Sequence, residues 1–142
     1  MRESNNNTRT GKTGELLVAS KLLENGWDVY ISLCDDKGID FIIEKEKRIL
    51  KVQVKTASKI GYNGEHKRYS FGLGKTTNRP DFFICVIPDG FLIVKENQYS
   101  GDAFQWYPDS PKKRLQEFYN NWSLLDIWKP QYIVELVEKI KH

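Results

Sequence analysis

The chain has 142 residues, the size of one domain with room for a core that needs no metal or disulfide. Hydrophobic residues at 39% and aromatic residues at 13% exclude a disordered charged tail, while a net charge of +3 permits a nucleic-acid partner without establishing one. No stretch approaches the ~18 consecutive apolar residues of a membrane span, and Cys34 and Cys85 lie in apolar strand-like runs with neither metal-ligand spacing nor a disulfide framework. A soluble protein in a reduced, cytoplasmic setting is therefore expected.

Residues 1–11 carry no apolar anchor and read as a flexible arm, leaving 12–142 as a single domain. A helix is expected to start near Thr13, which offers an N-cap, and to stop at Asn25-Gly26. On its wheel Leu16, Val18, Ala19, Leu22 and Leu23 form a broad apolar sector. Glu15 falls inside that sector, where a carboxylate is costly unless it has a partner or a task.

Strands are expected over 27–34, 39–44 and 49–57, the last two joined by the charged turn EKEKR over 44–48. In the third strand Leu50, Val52 and Val54 point one way and Lys51, Gln53 and Lys55 the other. The Gly- and Lys-bearing stretch KIGYNGEHKR reads as a hairpin tip or loop, and further strands are expected over 69–73, 81–87 and 91–95, with a turn at Pro88-Asp89-Gly90. Ser110-Pro111 signals a helix carrying Leu115, Phe118, Tyr119 and Trp122, and a second helix starts near Pro130 with Ile133, Leu136, Val137 and Ile140 on one stripe. This order of elements predicts a mixed sheet flanked by helices, in the α/β or α+β range.

If the hairpin folds back about Glu46, Asp40 comes opposite the segment Lys51 to Gln53. Asp40 and Gln53 can then offer oxygens to one hard divalent cation, with Glu15 adding a second carboxylate. Lys55, on the same face, would orient the attacking water or offset charge growing on a phosphoryl group. Each residue also has a plainer reading. Glu15 suits a helix N-terminus, Asp40 suits the DDKGID turn, and Gln53 and Lys55 suit the wet face of an edge strand.

Taken together, TGELLVASKLLENGWDV, GIDFII and KVQVKTA resemble the PD-(D/E)XK nuclease superfamily, with the closest likeness to intron-encoded homing endonucleases and a more distant one to archaeal Holliday junction resolvases. The resemblance covers roughly residues 13–57 and is looser through Lys95. It implies a restriction-endonuclease-like core: a helix, a three-stranded hairpin arrangement, another helix and a further strand. It further implies hydrolysis of DNA phosphodiesters with Mg²⁺, for which Mn²⁺ can substitute. Asp40 then matches the motif's Asp, Gln53-Val54-Lys55 its (D/E)-X-K part, and Glu15 the extra acid on the first helix. By that likeness Asp40, Gln53, Glu15 and the carbonyl of Val54 are metal ligands, and Lys55 assists the water. Two positions depart from the pattern. Ile39 replaces a proline that supplies no ligand, whereas Gln53 removes a negative charge and lowers cation affinity unless Glu15 or the scissile phosphate compensates.

Lys51, Lys59, Lys67, Arg68, Lys75 and Arg79 are the candidate DNA contacts, mixed with Gly, Tyr and Asn as in a loop lying along a groove. Lys112, Lys113 and Arg114 form a second candidate patch, and an arm bearing Arg2 and Arg9 suits a minor groove. The bland reading of all of these is solvated surface. Cutting both strands of a duplex or junction needs two sites in matching orientation, so a homodimer or higher symmetric oligomer is expected. The rival is a catalytically inactive nucleic-acid-binding module of the same fold.

Overall fold

The computed structural model describes residues 2–33, 38–57, 60–73, 80–96, 103–109, 116–127 and 140. Helix α1 spans Arg2–Glu24. It starts well before Thr13, correcting the arm and cap expected there. The Thr13 hydroxyl donates back to the Arg9 carbonyl at 2.8 Å, four residues earlier, so it serves the helix interior and not its start. The predicted stop holds. Gly26 N–H donates to the Leu23 carbonyl at 3.0 Å and Trp27 N–H to the Leu22 carbonyl at 3.0 Å, the paired bonds of a Schellman cap, with Leu22 and Trp27 both buried beneath it.

Among the described residues eight strands follow: β1 Asp28–Ile31, β2 Phe41–Lys45, β3 Arg48–Thr56, β4 Ile60–Asn63, β5 His66–Gly72, β6 Phe82–Ile87, β7 Gly90–Lys95 and β8 Ala103–Trp106. Short helix α2 spans Leu124–Ile127. The central sheet has the order β1-β2-β3-β6-β7 and is mixed, because β3 and β6 run parallel while its other neighbours are antiparallel. The β2–β3 turn tightens to Glu46-Lys47, both with positive φ (52° and 68°), as a two-residue hairpin of primed type requires.

Alternation along the strands sorts side chains onto two faces. On one face Phe41, Ile43, Leu50, Val52, Val54, Phe82, Ile84 and Ile93 meet Val18 and Leu22 of α1. Burying each of those two helix residues contributes about 1.5–3 kcal/mol. The apolar sector is narrower than the wheel predicts: Leu16 and Leu23 are 69% and 60% exposed, since the stripe laid against the sheet runs through positions 14, 15, 18, 19 and 22. On the other face Phe83, Cys85, Ile87, Leu92 and Val94 are roofed by Tyr69, Phe71, Phe104 and Trp106.

The roof is a second, antiparallel sheet of order β4-β5-β8. Between β3 and β6 the likeness implies a helix; the described residues there form the β4–β5 hairpin, turned at Gly64-Glu65. Alternating aromatic and polar residues in HKRYSFG favour a strand, and three glycines over 61–72 disfavour a helix. The helix expected through Phe118, Tyr119 and Trp122 is also corrected within the described residues. There Phe118 accepts from Ile93 N–H at 2.9 Å, Asn120 N–H donates to Phe91 at 2.7 Å, and Tyr119 bridges Leu92, so the chain adds a short edge to β7. The aromatic groups are packing elements: Trp106 stacks between Tyr69 and Tyr119, and Trp122 tilts against Phe91. The signals at Ser110-Pro111 and over 130–137, like Trp128, lie outside the described residues.

Candidate active site

Three residues of β3 and the residue just before β2 make the candidate site. The register pairs Phe41 with Val52, which carries Asp40 opposite Gln53, at one end of the Lys51 to Gln53 segment that the hairpin predicts. Asp40 is then fixed on both sides. Its N–H donates to Val52 at 3.0 Å, its carbonyl accepts from Ser32 N–H at 3.0 Å, and its Oδ2 accepts from Val54 N–H at 2.7 Å. A carboxylate taking a backbone N–H at that length is a charge-assisted bond, stronger than a neutral one.

Gln53 and Lys55 project from the same face of β3, away from α1. Oriented by its neighbours, the Gln53 amide donates to the Gly38 carbonyl at 3.0 Å and accepts from Lys55 Nζ at 3.3 Å. Gly38 has φ 70°, a left-handed conformation that a side chain disfavours, and its carbonyl is aimed back at β3. Lys55 pairs in register with Cys85 of β6. Burial pushes the Cys85 thiol well above its usual range despite the nearby Lys55 ammonium, so this sulfur stays protonated and is no soft ligand.

Glu15 approaches from the opposite face. It sits one residue past Gly14, where a Cβ would overlap the Thr56 hydroxyl, so the missing side chain lets α1 close directly onto the end of β3. That hydroxyl is buried without a hydrogen-bond partner. The Glu15 side chain is 22% exposed and its Oε2 is paired with Lys12 Nζ at 3.2 Å. Among the described residues no three His, Cys, Asp or Glu side chains gather tightly enough to hold a metal. The donors nearby are carboxylate, amide and carbonyl oxygens. Such a set suits a hard dication such as Mg²⁺, which keeps several waters and needs few protein ligands.

The basic candidates are dispersed. Lys51 is exposed on the face that carries Gln53 and Lys55, and its N–H is held by Asp81 Oδ2 at 2.8 Å. Lys67 lies with Nζ 5.7 Å from the Tyr69 ring centroid, and Arg68 lies across Gly61. Lys59, Lys75 and Arg79, with Lys112, Lys113 and Arg114, are outside the described residues. Sequence reasoning missed the parts played by Gly14, Gly38 and Thr56. The signals were present as TGEL and GID, but close approach and left-handed φ become visible only once the chain is folded.

A family model of PD-(D/E)XK endonucleases matches residues 5–81. Protein 5.3 of Escherichia phage T7 is 30% identical over 97 residues, covering 65% of this chain and 82% of that protein. A solved bacterial homing endonuclease, I-Ssp6803I, superposes with a TM-score of 0.69 at 22% identity, over 82% of this chain and 88% of that one, a likeness that speaks for the fold.

Proposed function

We propose, from the premise that this chain belongs to the PD-(D/E)XK endonuclease family, that it is a divalent-metal-dependent endonuclease hydrolysing phosphodiester bonds of DNA. The observation that carries this reading is the clamp of the Asp40 carboxylate on Val54 N–H at 2.7 Å, which joins the acid to the strand bearing Gln53 and Lys55. Asp40, the Val54 carbonyl, the Gln53 amide oxygen and Glu15 are the oxygens that would hold Mg²⁺ or Mn²⁺. Bound there, the cation would lower the pKa of a coordinated water and draw charge from the phosphate.

The side chains do the rest. Lys55 donates from its ammonium to the attacking water or to a non-bridging phosphate oxygen, holding either against β3 while negative charge grows on the phosphoryl oxygens. Glu15 exchanges Lys12 for the site when it contributes, and the loss of a charge at position 53 makes that contribution matter more. Lys51, on the same open face, is placed to take a neighbouring phosphate, with Lys67 and Arg68 on the β4–β5 hairpin reaching further along the duplex. Lys59, Lys75 and Arg79 complete the proposed contact set. A symmetric dimer or higher oligomer would present two such sites to two strands.

The neutral residue at position 53, and the lack of a three-acid cluster among the described residues, favour one rival, a DNA-binding module without turnover. Incubation with plasmid and branched DNA in Mg²⁺ or Mn²⁺, beside Lys55→Ala and Asp40→Ala, separates the two. The nuclease reading expects cleavage by the parent and loss in both variants. Salt-dependent binding with no cleavage by the parent establishes the module, and cleavage surviving both substitutions removes these residues from the chemistry.

A further inference from the structure

We infer that Gln53 is a positioning residue: its side-chain amide is a strut that ties the Gly38 carbonyl, two residues before Asp40, to the Lys55 ammonium, and position 53 requires an amide to do so. With the amide oxygen and nitrogen assigned from the groups they face, Lys55 Nζ lies 3.3 Å from the Gln53 oxygen and the Gln53 nitrogen 3.0 Å from the Gly38 oxygen, a donor–acceptor chain that the opposite assignment would turn into two unmatched pairs. A carboxylate can accept from Lys55, but it has no proton for Gly38. It would set a charged oxygen about 3 Å from a carbonyl oxygen, a repulsion where there is now a bond. A hydrocarbon of the same length would leave both partners unmet.

The strut matters because of what it connects. Gly38 holds the left-handed turn from which the chain enters Asp40, and Asp40 has its main chain tied to Val52 and Ser32 and its carboxylate to Val54. Gln53 lies between Val52, which accepts from the Asp40 N–H, and Val54, whose N–H donates to the Asp40 carboxylate. Its amide therefore closes a ring through Gly38, Asp40 and β3 that fixes the acid's position. The other end restrains Lys55, a flexible side chain with about 2 kcal/mol of rotamer entropy, before substrate arrives. The neutral residue that looked like a weakened metal ligand is in this account the choice that keeps the acid and the amine in register.

The inference uses the nuclease reading only for what the strut serves, and the ring itself is tested in metal-free protein. The measurement is amide exchange at Val54, whose N–H is protected by Asp40, in the parent, Gln53→Glu and the near-isosteric Gln53→Met, with Ile84 and Leu92 as references. Single-turnover cleavage at saturating Mg²⁺ is measured alongside. In both variants Val54 exchange should accelerate about tenfold, the worth of one lost hydrogen bond, with Ile84 and Leu92 unchanged. Both variants should also lose cleavage rate by tenfold or more at unchanged DNA affinity, even though Gln53→Glu restores an acid. Exchange at Val54 unaltered in Gln53→Glu, with turnover equal to or above the parent, overturns the strut and leaves Gln53 as a ligand only. A parent that cleaves nothing overturns the nuclease reading instead, and the exchange rates still decide for or against the strut.

Discussion

One face of the central sheet has two halves with opposite fates. Over β6 and β7, Phe83, Cys85, Ile87, Leu92 and Val94 lie under the second sheet and are buried. Over β1 to β3, Tyr30, Ile42, Ile49 and Lys51 are exposed, with Gln53 and Lys55 half-buried at the border. Register makes the border sharp: Gln53 pairs with Phe83 and Lys55 with Cys85, so a polar side chain stands beside an apolar one across a single strand gap. The roof stabilises one half by excluding water, and among the described residues it stops short of the other half, which stays exposed. The candidate site stands where the core ends, on a strand whose opposite face carries Leu50, Val52 and Val54 into the core.

If that division is real, the two halves should fail differently when cut. Phe83→Ala, in the roofed half, should cost about 3–5 kcal/mol of folding stability by denaturant melt, while protein still folded keeps its cleavage rate. Lys55→Ala, one strand away, should do the reverse: a fall of about 10²–10³-fold in cleavage rate with an unchanged melting midpoint. Equal stability losses in the two variants would erase the border.

A smaller effect sharpens the contrast from the helix side. Gly14→Ala should destabilise by about 1–3 kcal/mol, because its Cβ overlaps the Thr56 hydroxyl. Thr56→Ala should recover most of that loss in a double-mutant cycle, and additive losses would remove the contact from the account.

The smallest effect concerns the seam. Asp81 joins β3 to β6 and β7 by accepting Lys51 N–H and by main-chain bonds with Lys51 and Glu96. Burial raises its pKa above 3.8, opposed by the Lys51 N–H bond and charge and assisted by Glu96. A carboxyl with a raised folded-state pKa contributes stability below its unfolded pKa and loses it as pH climbs through the folded value. Asp81→Asn keeps an acceptor oxygen and removes the titration. It should therefore match the parent below pH 3.8 and exceed it at neutral pH, by urea melts across that range. A gap that narrows with rising pH would contradict the sign.

Much of this was legible in the residues. The alternation from Leu50 to Lys55 gave β3 its two faces, and the EKEKR turn brought Asp40 opposite the segment Lys51 to Gln53, because period and turn are local properties; the partner within that segment depends on the turn's register and came from the fold. The roof was legible only in part. The strand expected over 69–73 overlaps β5, but the stretch from 59 to 68 read only as a tip or loop, and β8 left no signal strong enough to compete with the helical spacing of the aromatics after Ser110. Tyr119 illustrates why: its partner is Leu92, and a pairing across that separation overrides spacing. The start of α1 was misplaced because Thr13 offers the same hydroxyl to a cap or to the Arg9 carbonyl, and only the fold chooses.

The central claim is that the cation, the acid and the amine meet at the border strand. Crystals grown with Mn²⁺ and measured at its absorption edge test it directly. The account predicts one anomalous peak within about 2.3 Å of an Asp40 carboxylate oxygen, on the Val54 side of β3 and within a water's reach of Lys55. Manganese bound elsewhere, at Asp81 and Glu96 for instance, with none beside Asp40, would contradict it.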